Sequence, residues 1–327
     1  MSNTTARRAW LCAALTGLAA ARSPARAQSA WPSRPVKIIA PVQPGGGVDL
    51  VARTVAERLA RAMSASFVVE NLAGGGGVIA SQAVARAVPD GHTLMVGYVG
   101  THGTNPATRK IPYDALRDFT PVAMVGGTPN VLVASATTGI DALERFIAFA
   151  RANPGKLSYG SSGPGSLTHL AMEQFKQAAN IFAVHVPYRG IGPAIVDAIS
   201  GQVQCMFPGL AAALPHIRAG RLVPLAVTGT RRHPLVPAVP TLEERGFKGF
   251  DGVQWYGIVG PARMPEAVVR RLNEEINAQL ATPELRERLA GEALEPMPMS
   301  PAQFGEYMAA DIAKWTALVR ERKLELE

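Results

Sequence analysis

Cysteine is almost missing from this chain. Among 327 residues only Cys12 and Cys205 carry a thiol, and Cys12 lies in a leader that processing removes. No internal disulfide can therefore frame the mature fold. Cys205 sits in the apolar run 203–207 and reads as a buried structural thiol, not a nucleophile. Histidine is also sparse. His92, His102, His169, His185, His216 and His233 are scattered, without zinc spacing or cysteine partners. Acids are too few near the loops for a calcium cage. There is no G-x-S-x-G elbow, no Gly-Lys-Ser/Thr ending of a nucleotide loop, and no basic run suited to nucleic acid. The sequence accordingly assigns no catalytic residue, metal or cofactor.

Long hydrophobic runs are missing too. The Ala-rich stretch 10–21 is too short to span a bilayer. It follows Arg7 and Arg8 and precedes Ala25-Arg26-Ala27, the pattern of a secretory signal cleaved near Ala27. Ala6-Arg7-Arg8-Ala9-Trp10-Leu11 also loosely fits twin-arginine export, although the general route is favoured. Cys12 lacks the small preceding residue of a lipidated cysteine, so a freely diffusing, exported product is expected. The leader holds four arginines and no acid, so the formal charge of +8 falls to about +4 after cleavage. A mildly basic chain suits an acidic small molecule.

What is present is an alternation of strands and helices. Apolar run 36–42 ends at Pro44-Gly45-Gly46-Gly47, and Val48, Val51, Val55, Leu59 and Met63 then mark one helical face. Strand 67–70, glycine turn 74–77, helix 78–87, turn 89–91 and strand 93–98 complete a parallel βαβαβ unit. Strands are expected at 130–135, 157–160, 183–186, 203–207 and 222–228, with helices between them. Asp141-Ala142-Leu143-Glu144 fits a capping box, as does Ser300 with Gln303, and Thr282-Pro283 reads as a helix start. The alternation stops near 234–240 and resumes with strand 254–259. Crossings near 121–129 and 229–253 suggest two domains between which the chain passes and returns.

Loops that leave the C-terminal ends of strands in open parallel sheets bind ligands. Four such loops stand out. The first holds Gly46, Gly47, Val48 and Asp49 at a helix start, where free N–H groups suit an anion. Asp49 there is either a dipole-offsetting acid or the partner of a ligand ammonium. The second carries Thr101, His102 and Asn105; the third, Ser161, Ser162, Ser166, Thr168 and His169; the fourth, Tyr188. A dinucleotide loop is disfavoured at the first, because Leu50 stands where the third glycine would be. Ser166 and His169, three apart on one helical stretch, read as a cap and a helix residue, not a catalytic dyad. Arg231-Arg232-His233 reads as a solvated turn. Trp255-Tyr256 is either core or an aromatic pocket wall.

Across the whole mature chain the residues resemble the Bug-type substrate-binding receptors of tripartite tricarboxylate transporters. The resemblance rests on Arg34-Pro35-Val36, Pro44-Gly45-Gly46-Gly47-Val48-Asp49, Val69-Glu70-Asn71 with 74–77, Pro89-Asp90-Gly91-His92-Thr93-Leu94, Val186-Pro187-Tyr188-Arg189-Gly190, Pro215-His216-Ile217-Arg218-Ala219-Gly220 and Trp255-Tyr256-Gly257. His92 stands where the family usually has tyrosine, Leu72-Ala73 where it has Arg-Pro, and Pro208-Gly209 where a polar residue is common.

The resemblance implies an α/β type II periplasmic-binding-protein fold: two doubly wound α/β domains with a hinge and a ligand cleft. Residues 1–27 would be the signal peptide, 28–124 with 236–327 the first domain, and 125–235 the second. It implies a periplasmic monomer that captures a small carboxylate or amino acid and hands it to a membrane permease, with no nucleic acid partner. The first-domain loops would hold one carboxylate through N–H groups, and the 161–169 loop would vary with ligand. An exported α/β enzyme with an unrecognised site is the alternative; it would need a titratable cluster facing the cleft.

Overall fold

The computed structural model describes residues 31–323; the expected signal sequence and cleavage site lie outside them. The first sheet starts as expected. Strand β1 (Val36–Ala40) runs into helix α1 (Gly47–Met63), then β2 (Phe67–Asn71), a tight turn at Gly75–Gly77, α2 (Val78–Ala85) and β3 (Thr93–Tyr98). β1 pairs in parallel with both β2 and β3, so all three strands end on the same edge of the sheet. The face of α1 that carries Val48, Val51, Val55 and Leu59 is buried. On its outer side Glu57 and Arg61 form the expected i,i+4 ion pair at 2.8 Å.

Short helix α3 (Asn105–Thr108) precedes the longest strand, β4 (Phe119–Pro129). Residues 121–129, expected as a mere crossing, are thus part of a strand. Its Thr-Pro-Val-Ala-Met-Val-Gly-Gly-Thr-Pro sequence hides this, with prolines near both ends and two glycines inside. The glycines are needed for packing: a side chain on Gly126 would meet the backbone of Glu295 on a neighbouring strand, and one on Gly127 would overlap Val253. The expected domain boundary between 124 and 125 falls inside β4, and the chain changes sheet at Asn130.

A second sheet follows. It comprises β5 (Val131–Ser135), β6 (Ser158–Ser161), β7 (Val184–Pro187), β8 (Cys205–Met206) and β9 (Leu222–Val227) in the order β7-β6-β8-β5-β9. Helices α4 (Leu143–Ala152), α5 (Leu167–Ala179), α6 (Ile191–Ser200) and α7 (Leu210–Arg218) connect these strands. Two apolar clusters form around the sheet, one with Phe146, Tyr159, Phe175 and Phe207, the other with Val131, Val133, Ile195 and Leu214. Each fully buried aromatic or aliphatic side chain contributes about 1.5–3 kcal/mol. Cys205 is buried there, as expected, and burial raises its pKa. The box expected at Asp141 does not form. Helix α4 starts after Ala142 with no side-chain cap, and Asp141 instead accepts from Arg145 at 3.1 Å.

The chain then returns to the first sheet. Strand β10 (Val253–Pro261) inserts between β3 and β4, antiparallel to both. Helices α8 (Glu266–Ala281) and α9 (Pro283–Gly291), strand β11 (Glu295–Pro296) and helix α10 (Pro301–Arg322) finish the fold. Thr282 caps α9, and Ser300 with Gln303 forms the complete capping box that starts α10. The final order is β11-β4-β10-β3-β1-β2. Trp255, Phe304 and Trp315 pack in the core of this sheet, together with Leu167 and Leu170 from α5. Among the described residues no helix is long and apolar enough to cross a membrane.

The two strand crossings meet at one hydroxyl. Thr228 Oγ1 accepts the Asn130 N–H at 2.9 Å and donates to the Gly252 carbonyl at 2.9 Å. Asn130 Nδ2 also donates to Phe207 O at 2.9 Å.

Candidate functional site

Three loops leave the common edge of β1, β2 and β3 and pack together. The first begins α1. Gly46 caps the helix in an extended conformation, and Gly47 lies under the ring of Tyr256, whose hydroxyl is 2.6 Å from where a Cβ would sit. Helix starts leave N–H groups without intrahelical partners, and here Gly46 and Gly47 keep them clear of side chains. Val48 turns into the core. Asp49 is also buried, and its carboxylate is fully engaged. It accepts the Gly45 N–H at 3.0 Å, Arg53 Nε at 3.0 Å and Asn71 Nδ2 at 2.8 Å. Burial opposes its charge, but these bonds outweigh burial and lower its pKa. Asn71 also donates to the Val42 carbonyl at 3.2 Å, so the end of β2 braces the first loop.

The second turn holds four consecutive glycines, Gly74 to Gly77, all at positive φ, a run that residues with side chains cannot follow without strain. A side chain on Gly77 would overlap Thr101 from the third loop. That loop is a wide helical turn, Gly100–Thr104. Asn105 Nδ2 donates to Gly76 O at 2.9 Å, and Tyr113 donates to Thr101 O at 2.8 Å. Thr101 is fully buried and bonds the Tyr98 backbone and, at 2.8 Å, His102 Nδ1. His102 stacks edge-on against Phe119; burial drives its pKa down to about 3, so it is neutral. Thr101, His102 and Asn105 therefore hold the loops in shape from beneath.

The second sheet supplies the fourth group. Strand β6 ends in a turn tied by its own hydroxyls. Thr168 Oγ1 accepts the Ser162 N–H at 2.9 Å and lies 3.0 Å from both the Ser162 and Ser166 hydroxyls. Ser166 caps α5 through the His169 N–H. Gly165 N–H donates to His169 Nδ1 at 3.0 Å. Beneath the turn, the His169 ring stacks on His185 at 4.0 Å, and Tyr159 stacks on His185 at 4.8 Å. Burial, then the neighbouring His185, lowers His169 to about 4; burial also lowers His185. Tyr159 donates to Glu173, which Lys176 meets at 2.6 Å. Tyr188 packs beside Gly160, and its hydroxyl donates to Asp197 at 2.7 Å.

Ser161 Oγ lies 2.6 Å from His185 Nε2, a spacing that a nucleophile and its base could adopt. However, Ser161 is fully buried, and its hydroxyl also bonds the Gly163 N–H at 3.1 Å and faces the Gly163 carbonyl at 3.3 Å. It closes the turn from inside and presents no open face to a substrate. Among the described residues no group of three His, Cys, Asp or Glu could hold a metal.

The structure thus gathers Gly46, Gly47, Val48, Thr101, His102 and Asn105 around one set of loops. Ser161, Ser162, Ser166, Thr168, His169 and Tyr188 form another. The two sets approach each other where Thr108 and Arg109 meet Pro164 and Gly165. Of the pair left open in sequence, Trp255 is core, with its indole N–H on Asp311 at 2.7 Å, and Tyr256 is the wall over Gly47. Arg231 and Arg232 are exposed and ion-paired as a solvated turn requires, while His233 is buried. Sequence reading missed Asn71, Thr108, Arg109 and His185. None of the four carries a local signal: His185, for example, meets Tyr159 only through the β6–β7 register.

A family model described as tripartite tricarboxylate transporter family receptor matches residues 51–324. Protein BugT of Bordetella pertussis is 34% identical over 303 residues, which cover 91% of this chain and 92% of that protein. Two solved structures from Rhodopseudomonas palustris are similar throughout. Rpa4515 with adipate is 34% identical with a TM-score of 0.87, covering 90% of this chain and 98% of that one. MatC with bound malate is 32% identical with a TM-score of 0.82, covering 88% of this chain and 100% of that one.

Proposed function

This chain belongs to the tripartite tricarboxylate transporter receptor family, and on that premise we propose that it is a periplasmic receptor that captures a small carboxylate between its two α/β lobes. The observation that carries this reading is the paired glycine-lined helix starts on one sheet edge, Gly46–Gly47 and Gly74–Gly77, braced by Asn71 and Asn105. Backbone donors at helix starts favour anions. The nearest acid, Asp49, is already engaged by three donors, so it leaves the approach to a carboxylate open. The relatives solved with adipate and malate support a carboxylate over a neutral solute.

In this reading the N–H groups of Gly46, Gly47 and Val48 hold one carboxylate. The half-buried hydroxyls of Ser162 and Ser166 face it from the second lobe, and Thr168 ties that turn together from inside. Thr101, His102, Asn105, Ser161, His169 and Tyr188 keep the loops in place. The first lobe is built around the sheet of 36–129 and 253–296 with the final helix, and the second around the sheet of 131–227. The protein acts as an exported monomer, cleaved near Ala27, and passes its solute to a tripartite membrane permease.

A thermal-shift screen of the chain from Gln28 against mono-, di- and tricarboxylates, amino acids and aromatic acids tests this. A ligand that binds only the folded state raises apparent stability with concentration. A rise confined to one acid class is expected. No rise across the panel, with co-purified ligand removed, would reject the carboxylate reading. An amino-acid-only response would instead return Asp49 to consideration as an ammonium partner.

A further inference from the structure

Arg109 follows α3 on the first lobe and reaches the second. Its Nη2 donates to the carbonyl of Pro164 in the turn after β6. Beside it, Thr108 Oγ1 faces the Gly165 carbonyl at 3.5 Å. The fit there is close: a Cβ on Gly165 would lie 2.6 Å from Thr108 Oγ1 and 3.2 Å from Arg109 Nη2. Gly165 has φ +69, so the turn also depends on glycine for its backbone. The other end of the guanidinium covers the second glycine turn, with Nη1 3.4 Å from where a Cβ on Gly76 would be. Among the described residues no Asp or Glu forms an ion pair with Arg109.

A single side chain therefore bridges the two loop sets, with its guanidinium beside the Gly74–Gly77 turn. We propose that Arg109 is a positioning residue that latches the 161–166 turn of the second lobe onto the first and so controls how readily the cleft opens. This deepens the receptor reading and rests on its two-lobed cleft. The guanidinium–carbonyl bond exists only while the two turns are together, so it stabilises the closed arrangement and not the open one. Hydrogen bonds to charged groups are strong enough to change such an equilibrium about tenfold. Arg109 is exposed and lies in neither core, so its loss should leave both lobes folded.

The test measures the distance between the lobes in the ligand-free protein. Spin labels go on Arg117→Cys in the first lobe and Arg145→Cys in the second, both exposed; the native Cys205 is buried and does not compete. In the Arg109→Gln variant the long-distance population should rise about tenfold relative to the short one, with the melting temperature unchanged. Arg109→Lys keeps the charge and loses the planar fork, and should behave the same way. Gly165→Ala, which wedges the same junction, should shift the distances in the same direction. An unchanged distribution in Arg109→Gln, or wild-type behaviour of Arg109→Lys, would overturn the latch. Because no ligand is present, failure of the carboxylate reading would appear in the thermal-shift panel and leave this result interpretable.

Discussion

The hydroxyl of Tyr256 stands 2.6 Å from the point a Cβ on Gly47 would occupy. Tyr256 is buried on the central strand β10 and cannot swing clear, whereas Gly47 opens helix α1. One strand thereby limits what the first loop can carry. Gly46, its neighbour, has nothing within 4 Å.

The two glycines should therefore respond differently. Gly47→Ala should cost about 1–3 kcal/mol as an overpacked contact and weaken carboxylate binding by at least about tenfold. Gly46→Ala should leave stability unchanged. Adding Tyr256→Phe to Gly47→Ala should recover part of the loss. Denaturant unfolding and titration calorimetry read both effects; equal behaviour of the two alanine variants would remove Tyr256 from the loop's support.

Asp49 should matter for the loop and not for the ligand's charge. Asp49→Ala strips the acceptor from Gly45, Arg53 and Asn71 and should cost about 1.5–3 kcal/mol. Its folded pKa is lowered, so its contribution is full above the unfolded value near 3.8 and is lost as pH falls through the folded one. Asp49→Ala should therefore flatten the acid end of the stability curve. An intact acid limb in the variant would contradict this.

The stacked histidines predict a separate loss at milder acidity. His169 is held down to about 4 and His102 to about 3. An unfolded histidine takes its proton near 6.5, so stability is full above that pH and declines as pH falls toward the folded values. Melting temperature should drop between about pH 6.5 and pH 4. Protonation of His169 Nδ1 would also remove the acceptor for the Gly165 N–H, loosening the 161–166 turn. His169→Gln should flatten part of the decline, and a full decline in that variant would place the effect elsewhere.

Asp311 joins two tryptophans, accepting Trp255 Nε1 at 2.7 Å and Trp315 Nε1 at 3.0 Å. Burial raises its pKa despite these bonds. Asp311→Asn turns an amide donor toward one indole N–H, which should cost about 1–3 kcal/mol. Tryptophan emission, to which these two indoles contribute alongside Trp31, should shift in the same variant. Unaltered emission and stability would show that the carboxylate is dispensable.

The loops were legible because glycine runs, N-cap residues and apolar periodicity are local signals. That is why 44–49, 74–77 and the Ser300 box could be read directly. Strand β4 was obscured because Gly126 and Gly127 look like a turn until Glu295 and Val253 are seen packing against them. The Asp141 box looked complete, yet Arg145 draws the same carboxylate outward. The roles of Asn71, His185 and Arg109 depend on partners 22, 24 and 55 residues away. No local pattern announces such contacts. His102 and His169 lie at the loops that the spacing marks, but burial beneath those loops is a property of packing and not of spacing.

The place of β10 in the sheet order has a consequence for how the protein comes into being. β10 lies between β3 and β4, yet it is made long after both. Until residue 261 has been synthesised, the earlier sheet exists only as two separate pieces, β3-β1-β2 and β4. The five-stranded sheet, contained within 131–227, already has every strand by then. The inserted lobe can thus close first, and the lobe that begins the chain is the last to be finished.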